Sequence, residues 1–176
     1  MSAMRTRTLL LAVAAAAAVP ALSQALKGHN SNAPVDVAAD RIEVQDRADR
    51  AIFSGNVVVT QGGMTLSTSR LTVAYSSAGP GVDIERLDAS GGVVVRSASE
   101  TARGDFAVYD LNRRLITVIG GVELTQGGNQ VRGGRMVLDL DSGRAVVDGS
   151  AVGAPGVSGA AGGRVTGRFT VKQRNP

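Results

Sequence analysis

The chain contains no cysteine, no tryptophan and a single histidine, His29. Without cysteine it has neither disulfides nor thiolate chemistry. His29 stands ahead of the first strand-like segment, so the core that follows has no imidazole for metal binding or general-base catalysis. Aromatic side chains are limited to three phenylalanines and two tyrosines. That supply is too small for the exposed aromatic platforms of a sugar-binding cleft. Neither charge sign dominates, since 19 basic residues face 15 acidic ones, which argues against a nucleic-acid binder. No phosphate-binding glycine motif, EF-hand spacing or nucleophile–base pair is present. Asp36, Asp40, Asp83 and Glu85 therefore suggest no hydrolase or calcium site, and no catalytic residue, metal or cofactor is expected.

The one long hydrophobic run is Leu9–Val19, which is too short to span a bilayer. Arg5 and Arg7 precede it, Pro20 ends it, and Ser23-Gln24-Ala25 is a small-x-small cleavage site. This pattern predicts a secretory signal covering residues 1–25 and an extracytoplasmic address. Without Arg5 and Arg7 the 19 basic residues fall to 17, leaving a net charge near +2. The rest divides into a flexible lead (26–34), a strand-rich domain (35–149), a Gly/Ala-rich linker (150–163) and a basic terminal strand or tail (164–176).

The strand-rich part repeats itself. Ile52–Val73 aligns without a gap on Thr117–Leu138, about 65 residues later. Gly55 falls on Gly120, Thr60-Gln61-Gly62-Gly63 on Thr125-Gln126-Gly127-Gly128, and Arg70 on Arg135. Gly91–Tyr109 is a divergent third copy, and Val37–Val44 matches Leu66–Val73 in part. Such repeats imply stacked β-structure with a core continuous from unit to unit. Equivalent positions identify the inward face. Ala51, Leu87 and Ile116 are apolar in every copy, as are Val57, Val93 and Val122, while their neighbours are mixed. After the glycine turn Leu66, Ala102 and Val131 point inward. The parity then slips by one near Ser69-Arg70, Asp105-Phe106 and Gly134-Arg135, which predicts a bulge or corner there and two facing sheets.

The inward set is mostly Val, Leu, Ala and Ile, with Phe53, Phe106, Tyr109 and a few methionines as the only bulky fillers. Two architectures satisfy this: sheets close together, as in a thin β-helix, or sheets splayed around an apolar groove for a ligand without fixed shape.

The run Val35–Val44, followed by Ala51-Ile52-Phe53-Ser54-Gly55-Asn56-Val57-Val58-Val59-Thr60-Gln61-Gly62, resembles the OstA-like domain family of LptA-type lipopolysaccharide-transport proteins. Ala39-Asp40, Phe53, Gly55-Asn56-Val57, Val59, Gln61-Gly62 and Arg70-Leu71 carry the likeness, which extends from about Val35 to Gly149. The resemblance implies an all-β fold, an open β-jellyroll of many short antiparallel strands holding lipid A acyl chains between its sheets. It implies a periplasmic, non-enzymatic carrier that binds lipopolysaccharide. It further implies edge-to-edge, head-to-tail assembly into a bridge, with an inner-membrane transport component and an outer-membrane translocon of the same domain type as partners.

On that reading the lipid-binding candidates are Phe53, Val57, Val59, Leu66, Leu71, Val73, Leu87, Val93, Val95, Ile116, Val118, Val122, Leu124, Met136 and Leu138. Arg41, Arg70 and Arg135 recur at one repeat position and are candidates for headgroup phosphates. Val37, Ile42 and Val44 at one end, and Val165, Phe169 and Val171 at the other, are candidate assembly edges. Val35–Asp49 carries five acids against Arg41 and Arg47, while Arg164, Arg168, Lys172 and Arg174 meet no acid after Gly149, a polarity that favours head-to-tail encounter. The rival is a polymerising β-helix scaffold without ligand.

Overall fold

The computed structural model describes residues 29–77, 81–149 and 163–170. The predicted signal, most of the Gly/Ala-rich linker and the edge candidate Val171 lie outside the described residues. Among the described residues ten strands form one antiparallel sheet: β1 (Asp36–Ala38), β2 (Arg41–Gln45), β3 (Arg50–Gln61), β4 (Met64–Ser76), β5 (Asp83–Arg96), β6 (Glu100–Asp110), β7 (Leu115–Gln126), β8 (Asn129–Asp139), β9 (Arg144–Asp148) and β10 (Thr166–Arg168). Neighbours in sequence pair in sequence order from β3 to β8, as tight turns between repeats require. Gly62 (φ 52°) and Gly63 (φ 86°) make one such turn, at angles that a Cβ disfavours.

The long strands are bent across their middles. Pairing shifts on β3 between Ser54 and Val57, on β5 between Ser90 and Val93, and on β7 between Ile119 and Val122. The corner was expected on β4, β6 and β8, and the parity slip does occur there: Leu66 and Leu71 are both buried, as are Ala102 and Ala107. The extra residue itself, however, sits on the opposite strands. Gly55-Asn56, Gly91-Gly92 and Gly120-Gly121 each stand against one fewer residue of β4, β6 and β8, and all six have positive φ. Two consecutive left-handed residues bend a strand sharply, and glycine adopts that conformation without Cβ strain.

Above Gly55 lies Asp40, whose N–H donates to the Gly55 carbonyl at 2.9 Å and whose Oδ2 accepts from the Asn56 amide at 2.9 Å. The Asp105 carboxylate likewise lies over Gly120, and a Cβ on either glycine would strike the carboxylate above it.

The corner divides the sheet into two half-sheets. The first holds β2, β9 and the halves of the long strands that pair with them; the second holds β1, β10 and the other halves. Both ends of the stack are thus made of a strand interrupted at the corner. Pairing runs straight across each half. Arg41, Ser54, Arg70, Ser90, Phe106, Ile119, Arg135 and Asp148 form one row on the outer face of the first. Asp36, Thr60, Thr65, Arg96, Thr101, Thr125, Gln130 and Arg168 form one on the second. The inner faces of the two halves meet in one hydrophobic cluster. Phe106, expected among the fillers of the middle, lies on the outer face and is 43% exposed. Its even parity on β6 sends it outward, while Ala107 and Tyr109 point in.

Candidate functional site

The inner surface carries the candidate site. Alternation along β3 turns Val57 and Val59 inward, and the same parity on β5 and β7 buries Leu87, Val93, Val95, Ile116, Val118 and Val122. Leu66, Leu71, Val73, Met136 and Leu138 come from the even strands through the slipped parity. Phe53 and Leu124 are partly buried against this cluster. The fold therefore brings all fifteen candidate residues into one continuous aliphatic surface.

The width of the interior varies along the stack. In the middle the half-sheets touch, and Leu71, Ile116 and Val118 are 0% exposed. At the β1/β2 end they part. An open mouth of about 520 Å³ lies between Val35 and Val37 on one side and Val44, Phe53, Val73 and Ile84 on the other. A narrow apolar crevice with about 10 Å³ of room, enough for roughly one water, lies near the β5–β6 turn, between Val95, Ala102 and Leu124 of one half-sheet and Met136 and Leu138 of the other. The buried Glu100 lies at its rim and accepts from the Gln126 amide at 2.6 Å.

Opposite the corner the two half-sheets leave a seam, and a polar knot closes it. Gln61, at the tip of β3 in the second half-sheet, is 3% exposed. Its Oε1 accepts from the Tyr109 hydroxyl of the first half-sheet at 2.8 Å and lies 3.3 Å from His29 Nε2. Its Nε2 donates to the carbonyls of Ser31 and Ala33, at 2.9 and 3.0 Å. Every polar site of the amide is thereby used, as burial demands. Burial raises the Tyr109 hydroxyl's pKa, which keeps it a donor. Arg114 reaches Asn32 at 3.3 Å and Asp141 at 2.9 Å, joining the same region from the β6–β7 turn.

Residues 29–33, anticipated as part of a flexible lead, thus lie along the seam. Burial lowers the pKa of His29, with its bond to Gln61 acting in the opposite direction, and its Nδ1 has no partner among the described residues. No sequence pattern marked this knot. Gln61 appeared only in the glycine-turn repeat and in the family motif, with no partner assigned, and its partners are far away in the chain.

The candidate headgroup arginines stand on the outer face beside the corner. Arg41 and Arg70 are exposed, and Arg135 lies 3.7 Å from Asp148. The edge candidates Ile42, Val44, Val165 and Phe169 are exposed at the two ends, and Val37 is half-buried. Thr166–Arg168 pairs with β8, which places these three residues of the basic terminal segment on the sheet. Among the described residues no cluster of three or more His, Asp or Glu side chains could hold a metal ion, and no helix is long and apolar enough to cross a membrane.

Comparison with known proteins bears on this geometry. A family model described as LptA/(LptD N-terminal domain) LPS transport protein matches residues 36–144. An uncharacterised protein of Rhizobium meliloti (strain 1021) is 32% identical over 144 residues, covering 77% of each chain. The crystal structure of LptH, the LptA-homologous periplasmic component of the lipopolysaccharide transport device of Pseudomonas aeruginosa, superposes with a TM-score of 0.70 at 23% identity. That match covers 80% of this chain and 98% of LptH, and it shows a common open β-jellyroll.

Proposed function

We propose that this chain, which belongs to the LptA/(LptD N-terminal domain) LPS transport protein family, works in the periplasm and holds lipid A acyl chains between its half-sheets while they pass from molecule to molecule. The observation that carries this reading is the apolar mouth at the β1/β2 end, continuous with the buried aliphatic surface behind it. Acyl chains need a dry surface and little shape selectivity, and burial contributes about 25 cal/mol per Å². A few hundred Å² of contact is therefore worth several kcal/mol, enough to hold a chain that is later passed on.

Entry starts at the mouth, where Val44 and Phe53 face Val35 and Val37. Passage through the middle requires the half-sheets to separate around the corner, against the bonds of the seam. Arg41, Arg70 and Arg135 would meet headgroup phosphates outside the corner. No bond is made or broken, so the function is non-enzymatic and needs no cofactor. The ends of the stack serve for assembly, with a second copy or with inner- and outer-membrane transport components carrying the same domain. The periplasmic address rests on the basic, apolar and small-residue pattern of residues 1–25.

A second reading, a scaffold without ligand, is favoured by the closed middle, where Leu71 and Ile116 have no solvent contact. A photo-crosslinking amino acid at Phe53 tests between them in cells that make lipopolysaccharide. The carrier reading expects lipid A adducts there and none from the same probe at the outward-facing Thr72. A scaffold gives adducts at neither position, and organic extracts of the purified protein then contain no lipid A by mass spectrometry.

A further inference from the structure

The two ends of the stack are complementary in charge along the rows of the sheet. The row that starts at Arg41 ends at Asp148, and the row that starts at Asp36 ends at Arg168. If a second copy continued the sheet without a slip, β9 and β10 of one molecule would lie beside β2 and β1 of the next. Asp148 would then stand opposite Arg41 on one half-sheet, and Arg168 opposite Asp36 on the other. We infer that this register joins two copies of the chain, with Arg41–Asp148 and Asp36–Arg168 as the cross-junction ion pairs. The inference rests on the head-to-tail assembly proposed above and specifies its register.

Three features of the fold fit it. Strand direction alternates from β3 to β8, so the terminal strand of one copy runs antiparallel to the first strand of the next. Each row crosses an odd number of ladders, so a residue at either end stands in the same type of pair with its inner neighbour. The alternation of bonded and non-bonded pairs then continues through the junction unbroken. The corner supplies the third feature. β1 and β2 are separated at Asp40, β9 and β10 after Asp148, and continuing both half-sheets at once aligns the two breaks. A slip of two residues that brings Asp148 opposite Glu43 would place like charges face to face, a destabilising arrangement in a cross-strand pair.

The chemistry of the four side chains suits pairing with a partner. Arg41, Asp36 and Arg168 are exposed and have no ion pair among the described residues. Asp148 has only the 3.7 Å contact with Arg135, leaving an oxygen for a second guanidinium. On the inner face the same register sets Val147 beside Ile42 and Ala145 beside Val44, so the aliphatic surface runs through the junction.

The absence of native cysteine makes the test clean. Antiparallel partners in a non-bonded pair are about 4.5 Å apart at Cα, within disulfide range. The double variant Asp36→Cys/Arg168→Cys is purified and oxidised, and so is Arg41→Cys/Asp148→Cys. Both should give ladders of covalent multimers on non-reducing gels. Mixing the single variants Asp36→Cys and Arg168→Cys should give their mixed dimer and nothing longer. Val37→Cys with Arg168→Cys, displaced by one residue, should not link. Analytical ultracentrifugation of the unmodified protein is run alongside. Association without the expected cross-links overturns the register and leaves head-to-tail assembly standing. A monomer at every concentration overturns both. Where the register holds, Arg41→Asp should weaken association about tenfold, and the exchanged pair Arg41→Asp/Asp148→Arg should restore it.

Discussion

The Tyr109 hydroxyl donates to Gln61 Oε1 at 2.8 Å, joining the tips of two strands that are not neighbours in the sheet. Tyr109 lies on β6 in the first half-sheet and Gln61 on β3 in the second. This direct bond across the seam opposes separation of the half-sheets on the side away from the corner. Tyr109→Phe keeps the ring packing and removes the donor. We expect a loss of about 1 kcal/mol, a few degrees in Tm, and faster amide exchange in residues 29–35. Unchanged exchange in that segment would mean that the knot does not hold it.

The same knot contains the chain's one histidine, whose pKa burial lowers. A depressed native pKa means that the unfolded or detached state binds a proton more readily. The contribution of His29 is therefore fully present above its ordinary pKa of about 6.5 and is lost as pH falls through the lower native value. Amide exchange at residues 30–33, corrected for intrinsic rates, should accelerate as pH falls below about 6.5. His29→Gln should flatten that dependence.

At the corner, Gly120 has φ 82° and a Cβ there would strike the Asp105 carboxylate. Gly120→Val combines a left-handed β-branched residue with a clash, and should cost about 3 kcal/mol or more. Gly121, with φ 51°, has nothing within 4 Å of a Cβ. Asparagine tolerates that conformation, so Gly121→Asn should cost under about 1 kcal/mol. Chemical denaturation of the two variants checks the contrast, and equal losses would refute this account of the corner.

Val44 is 56% exposed and lines the mouth. Val44→Asp should change stability by about 0.5 kcal/mol or less, while putting a charge where acyl chains would enter. Binding of a fluorescent acyl probe should fall severalfold. Leu71→Ala in the closed middle should behave differently, losing about 2–5 kcal/mol of stability. Thermal melts and probe titrations on both variants separate a ligand surface from a packed core.

Much of the architecture is present in local pattern. The repeats, the period-two alternation and the parity slip after Leu66 identify the strands, the inward face and a corner in each copy, because side-chain direction along a strand is a local property. The placement of the fifteen apolar candidates on one surface follows from the same rule. Which strand carries the extra residue was not legible. A parity slip on β4 and the Gly55-Asn56 pair on β3 describe one bend from two sides, and only the pairing of Ser54 with Arg70 and Val57 with Thr68 assigns it.

The rest was settled in three dimensions. Whether the half-sheets touch or part depends on how side chains from distant repeats meet, and composition alone permitted both. The structure has both, a closed middle and an open mouth at the β1/β2 end. The knot at Gln61 joins residues 28 to 48 positions apart in the chain, beyond the reach of any periodic signal. The amino-acid order thus determined which side chains face inward, through the two-residue period of the strand. Folding the sheet over its corner decided what those side chains meet, because contacts across the sandwich join residues that no local rule relates.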